Sequence, residues 1–212
     1  MPTRLSIYNG ALSILGERRL ASLTDDVEPR YQLDEVYDNE FIDRLLQMGQ
    51  WNFAGRTIEL LASPSVTPPF GYTFGFEKPE DFIRTMGVWY DEFQTNPITR
   101  YADEGAFWYC DQEVIYVQFV SNDIEFGKDL SLWPHNFTEM AEHYMAVKVA
   151  PRLTGLDFDS DKLYALWKAA LREAKAVDAM ESPAKFQPSG SWARSRRGGS
   201  GGDRGSRTKL IG

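Results

Sequence analysis

Apolar side chains along the first fifty residues keep a helical period. Leu5, Tyr8, Leu12 and Leu15 recur at spacings of three and four, the stripe of an amphipathic helix over 3–15, with Gly16 placed to end it. After SLTDD, Leu33, Tyr37, Phe41 and Leu45 repeat every fourth position beside Val36 and Leu46. They predict a second helix over 27–49, with Thr24, Asp25 or Asp26 as cap and Pro29 in the first turn. From Trp51 the period falls to two, as in Thr57-Ile58-Glu59-Leu60, and turn residues crowd SPSVTPPFGY. Short strands are predicted near 55–61, 71–76, 82–90, 98–102, 106–110 and 113–120. The run Val114–Val120 is apolar on both faces, which places it inside a small sheet and not at an edge. Helical spacing returns after Trp133: Phe137, Met140, Ala141, Tyr144 and Met145 predict a helix over 135–154, with Pro151 as a kink or an end. A last helix over 160–181 takes Asp159 or Ser160 as cap and Leu163, Leu166, Trp167, Ala170 and Leu171 as its buried face.

The order is helix, helix, strand block, helix, helix. It predicts a mainly α fold: a helical bundle, residues 1–182, interrupted at about 54–120 by a small antiparallel β-module. Residues 183–212 hold seven glycines and few large apolar side chains, so they cannot build a core of their own and are expected to form an extended C-terminal arm.

Composition narrows the class. The chain has 212 residues, 42% hydrophobic, 14% aromatic and 25% charged, with one cysteine. No window approaches the roughly 18 apolar residues a bilayer span needs, and the opening MPTRLSIYNG lacks the build of a signal peptide, so a soluble, non-secreted protein is expected. Cys110 has no second cysteine to pair with and reads as a small buried apolar side chain.

Charge is divided unevenly. Residues 183–212 carry 7 Lys and Arg against 1 Asp, a net +6, and residues 1–182 carry 16 Lys and Arg against 30 Asp and Glu, a net -14. An acidic body is ill suited to gripping nucleic acid, because duplex affinity comes mainly from cations that displace counterions from phosphates.

Candidate chemistry is sparse. His135 and His143 stand eight apart with Glu139 between them, not at the i, i+4 spacing of helical metal sites. Asp157, Asp159 and Asp161 resemble the start of a calcium loop, but the glycine needed directly after the third aspartate is absent; helix capping explains them better. No phosphate-cradling glycine loop occurs, the one Gly-x-Ser-x-Gly match, Gly198-Gly199-Ser200-Gly201-Gly202, lies in the glycine-rich arm and not at a predicted strand-to-helix turn, and neither a metal nor a cofactor is expected. Aromatic side chains of the strand block, among them Trp51, Phe76, Trp89 and Trp108, read as core or subunit interface before ligand platform. In the arm, Phe186, Trp192, Arg194, Arg196, Arg197, Arg204, Arg207, Leu210 and Ile211 are residue types that anchor interfaces.

Several segments together resemble a known family. These are Asn9-Gly10-Ala11-Leu12-Ser13-Ile14-Leu15-Gly16 with Leu23-Thr24-Asp25-Asp26, then Trp51-Asn52-Phe53-Ala54, then Gly71-Tyr72 leading to Pro79-Glu80-Asp81-Phe82-Ile83-Arg84, and Leu132-Trp133-Pro134. In that order the chain resembles, over most of 3–182, the head-to-tail adaptors of short-tailed phages, also called tail tubular protein A or tail accessory factors. The resemblance implies a virion component, made in the host cytoplasm, that forms a homo-oligomeric ring, expected to be twelvefold. The ring would sit beneath the portal protein and above the tail or nozzle protein. Packaged DNA would pass through its lumen during genome ejection without sequence-specific binding, and no catalysis is implied. The arm is then expected to fasten the ring to the portal, although family members differ in the length and composition of this segment. Two other readings stay open: a peptidoglycan-degrading tail hydrolase with an acidic pair in the strand block, and a nucleic-acid binder working through the basic arm.

Overall fold

A computed structural model describes residues 1–155 and 159–181. The chain divides into two units, Met1–Ser182 and Pro183–Gly212; the first is described below.

Helix α1 spans Arg4–Leu15. Thr3 and Ser6 cap it reciprocally, and Gly16, at φ 77°, closes it in the left-handed conformation that glycine adopts without steric cost. The predicted second helix is two helices, α2 (Glu28–Asp38) and α3 (Phe41–Gln47). Between them Glu40 sits at φ 56°, a reversal that an uninterrupted four-residue apolar repeat does not reveal. None of Thr24, Asp25 or Asp26 caps α2, whose N-cap is Val27. Asp25 instead accepts the amides of Ala21 and Ser22 and ties the preceding loop.

A 3-10 turn, Asn52–Ala54, leads into the strands. They are β1 (Gly55–Leu61), β2 (Phe74–Glu77), β3 (Phe82–Trp89), β4 (Ala102–Glu104), β5 (Phe107–Cys110) and β6 (Val114–Ser121). Two antiparallel three-stranded sheets result, ordered β1-β6-β3 and β2-β5-β4. The apolar run Val114–Val120 is the central strand of the first, as its two-faced pattern predicts. Helices α4 (His135–Leu153) and α5 (Ser160–Glu181) complete the described part. Pro151 neither ends nor breaks α4, which runs on to Leu153; a proline this near the end disturbs only the last turn.

The expectation of a mainly α bundle is overturned. Among the described residues helices make up 43% and strands 20%, so the fold is mixed α and β. The physical reason is a second core. One apolar cluster joins α1–α5 to Val120 at the near end of β6; another, formed by Phe76, Val88, Trp108, Ile115, Val117 and Phe119, is enclosed between the two sheets. The strands are therefore a packed layer with their own interior, not an accessory to the helices. Alternate residues of β6 divide the work: Ile115, Val117 and Phe119 face the second sheet, and Val120 enters the helical core.

Candidate functional site

Five residues of the segments singled out in the sequence, Asn9, Trp51, Asn52, Asp81 and Trp133, act as joints between elements. Asn9 on α1 presents its amide to the loop beyond Gly16, donating to the Leu20 carbonyl at 3.1 Å and accepting the Leu20 amide at 2.8 Å. The Trp51 indole, 1% exposed, donates to the Leu45 carbonyl at 3.1 Å. Trp133 likewise donates to the Gly127 carbonyl at 3.0 Å. Both indoles meet Phe137 edge-on, with centroids 4.8 Å and 4.7 Å away, which seats α4 on the start of the sheet layer. Asn52 binds the far end of α5: its backbone amide donates to the Asp178 carboxylate at 2.9 Å and its side chain to the Asp178 carbonyl at 2.7 Å. Asp81, before β3, accepts from Arg56 at 2.8 Å and from the Ser121 hydroxyl, and its carbonyl accepts the Asn122 amide. Burial works to raise the Asp81 carboxyl, but the Ser121 and Arg56 hydrogen bonds outweigh it and hold it below the ordinary aspartate value.

Two further charged clusters are consumed in the same way. Asp34 on α2 accepts from Arg4 (2.7 Å), Tyr8 (2.8 Å) and Arg30 (2.7 Å), while the Arg4 guanidinium lies 4.2 Å from the Tyr37 ring centre. In the second sheet Asp103 accepts from Lys78 and Thr85, and against the opposing effect of burial these bonds depress its carboxyl. The hydrolase reading needs a carboxylic acid in the strand block that keeps its proton near neutrality. The carboxylates of that block whose values are displaced, Asp81, Asp91, Asp103 and Asp129, are all shifted the other way.

Raised carboxyls lie in the helical layer. Glu142 on α4 rests against Gly10 in a shallow cleft of about 580 Å³, lined by Ser6, Asn9, Gly10, Ser13, Ile14 and Arg19. Burial raises its carboxyl, Glu139 adds to the shift and His135 opposes it. A Cβ on Gly10 would stand 2.1 Å from the Glu142 carboxyl carbon, so glycine is what lets this carboxylate lie on α1. An adjoining cleft of about 360 Å³ contains His135 and Ser6. Ser6, common to both clefts, donates its hydroxyl to the Thr3 carbonyl at 2.8 Å. His143 does not join them: its Nδ1 is buried with no hydrogen-bond partner among the described residues, and burial lowers its imidazole below 6.5. Among the described residues no group of His, Cys, Asp or Glu is arranged to hold a metal ion. Asp159 caps α5 by accepting the Lys162 amide at 3.0 Å, Asp161 lies in the first turn, and Asp157 falls outside the described residues. Cys110 is buried and its thiol donates weakly to the Gln112 carbonyl, 3.7 Å away.

The aromatic set divides. Trp51, Phe76, Trp89 and Trp108 are core, whereas Phe70 and Phe93 project fully or largely into solvent and Tyr90 is half exposed. Leu166, assigned to the buried face of α5, is exposed; the packed stripe is Trp167, Ala170, Leu171 and Ala174, and Leu163 is half-buried. The nine arm residues from Phe186 to Ile211 lie outside the described residues.

Surface charge concentrates in the strand layer: residues 54–132 hold 13 Asp and Glu against 5 Lys and Arg, a net -8. On the outer face of the first sheet the Tyr116 hydroxyl donates to Glu59 at 3.3 Å, and the Glu92 and Asp91 carboxylates also bear on it. A contrasting cationic ridge, Lys168, Arg172 and Lys175, runs along exposed α5. Its spacing of four and three is visible in the sequence, but attention to the helix's apolar face conceals it. Among the described residues no helix is long and apolar enough to cross a membrane. No protein-family model matches the chain, and no curated protein matches it either.

Proposed function

We propose that the chain is the subunit of a head-to-tail adaptor ring in a short-tailed phage. In this reading residues 1–182 form the ring wall between the portal protein and the tail or nozzle protein. Residues 183–212 fasten it to the portal, and DNA passes through the lumen unread. The observation that carries the reading is the use made of the resembling residues. Asn9, Trp51, Asn52, Asp81 and Trp133 are spread over more than a hundred positions, yet each spends its polar atoms on a joint between elements. A shared pattern of this kind describes a scaffold and contains no reaction centre, which suits a structural ring. The division of charge adds support. A body at -14 leaves the counterions of a passing duplex in place, while an arm at +6 with aromatic and aliphatic anchors suits an acidic protein surface.

Co-sedimentation with purified portal rings tests the assignment. The full chain is expected to pellet with the rings, and a chain ending at residue 182 to remain in the supernatant at concentrations where the full chain is bound. Equal binding of the two would remove the arm from the mechanism, and failure of both to bind would remove the adaptor reading.

A further inference from the structure

Two faces of the same molecule are complementary and point to how one copy holds the next. On α5 the side turned away from α4 has a floor of alanines, Ala165, Ala169 and Ala176, all exposed. On one flank stands the cationic ridge of Lys168, Arg172 and Lys175, with the Lys168 ammonium 4.5 Å from the ring centre of Tyr164. Opposite it stand Leu166, 43% exposed, and Met180, 82% exposed, with the exposed Glu173 between them around the helix. Among the described residues none of the three cations is paired with a carboxylate. The outer face of the β1-β6-β3 sheet has the opposite sign. Glu59 and Glu92 converge there on Tyr116, the loop after β3 is held over β1 by the Gln94–Thr57 hydrogen bond, and Leu61 (69%) and Phe93 (77%) are exposed beside them.

We propose that the outward face of α5 docks on the outer sheet face of a second copy of this chain. Charge selects the pairing. Two α5 ridges repel each other, as do two acidic sheet faces, so a two-fold symmetric contact through either is disfavoured. The attractive pairing joins two different patches, and a contact of that kind passes from copy to copy and closes into a ring when its rotation allows. The exposed apolar side chains on both faces, with alanines that admit close approach, suit a protein partner better than phosphate. The inference deepens the ring reading by naming its lateral surfaces, and it rests on that reading only for closure.

Sedimentation of the full chain over a rising concentration series tests it. Wild type is expected to self-associate. K168E/R172E and E59K/E92K are each expected to shift half-association upward by about tenfold or more, since each places like charges face to face. Mixing the two variants, or combining all four substitutions in one chain, restores opposite charges and is expected to restore association, which an unfolded variant cannot do. Association unaffected by either pair, or a wild-type chain that stays monomeric to about millimolar concentration, would overturn the proposal. So would wild-type retention on duplex DNA that K168E/R172E abolishes while self-association is unchanged. A monomeric chain that still pellets with portal rings would sink these faces and leave the adaptor reading standing; normal self-association with no portal binding would do the reverse.

Discussion

Single positions in this protein separate cheap crowding from costly crowding. Gly10 and Gly127 both lack room for a Cβ, but the obstacle differs. At Gly10 it is the end of the Glu142 side chain, 2.1 Å away, which can swing into the open cleft. Gly10→Ala is therefore expected to be neutral or to stabilise by up to about 1 kcal/mol, the ordinary helix preference for alanine. It should also lower the Glu142 pKa by returning the carboxylate to water, which an NMR titration would read. At Gly127 the obstacle is the Ser121 carbonyl oxygen at 2.4 Å, which cannot turn aside, with Leu46 behind it. Gly127→Ala is expected to cost about 1–3 kcal/mol in urea unfolding. Phe137, 1% exposed and in ring contact with Trp51, Phe53 and Trp133, is the most connected aromatic of the helical core. Its replacement by alanine is expected to cost about 3–5 kcal/mol. Titration should follow the clusters. Asp34, Asp81 and Asp103 have depressed folded values, so their contribution is complete above the unfolded value near 3.8 and is lost as pH falls through the lower folded values. His143 acts earlier: its unfolded imidazole takes a proton as pH falls below 6.5 while the buried ring resists, so stability begins to decline there. His143→Gln is expected to remove the decline just below 6.5 and leave the steeper one near 4, as urea midpoints across pH would show.

At the scale of elements, the joints matter more than the propensities. Asp178 ties α5 to the turn after α3, and Asp178→Ala removes the carboxylate that accepts the Asn52 amide, at an expected cost of about 1–3 kcal/mol. Glu40, at φ 56°, lets α2 and α3 diverge, and Glu40→Gly is expected to raise the urea midpoint by relieving a conformation that disfavours side chains. Periodicity located α1, α4, α5 and the central strand β6, because each has an apolar face long enough to set a period. It did not locate the break at Glu40, since Leu33, Tyr37, Phe41 and Leu45 keep their interval across it; the turn arises from tertiary packing and not from a glycine or proline. It also understated the strand layer. Short strands of three or four residues, such as β4 and β5, give little pattern alone, and their shared core with β6 becomes visible only in three dimensions. The Asn52–Asp178 bond spans 126 positions and leaves no local trace.

At the scale of the molecule, the two apolar clusters among the described residues lie within residues 5–174. A chain ending at residue 182 is therefore expected to unfold at nearly the same temperature as the full chain while losing attachment to the portal. Charge division between body and arm was legible from the residue list alone. The opposed faces of α5 and the first sheet were not, because the carboxylates that meet at Tyr116 come from β1 and from the loop after β3. The central claim is that copies of this chain surround an axis beneath a portal. Electron microscopy of the full chain mixed with purified portal rings, beside the chain alone, examines that claim most directly. The account predicts a second ring of density stacked coaxially on the portal and absent from the truncated chain. Portal rings left bare at saturating concentrations of the folded full chain would contradict it.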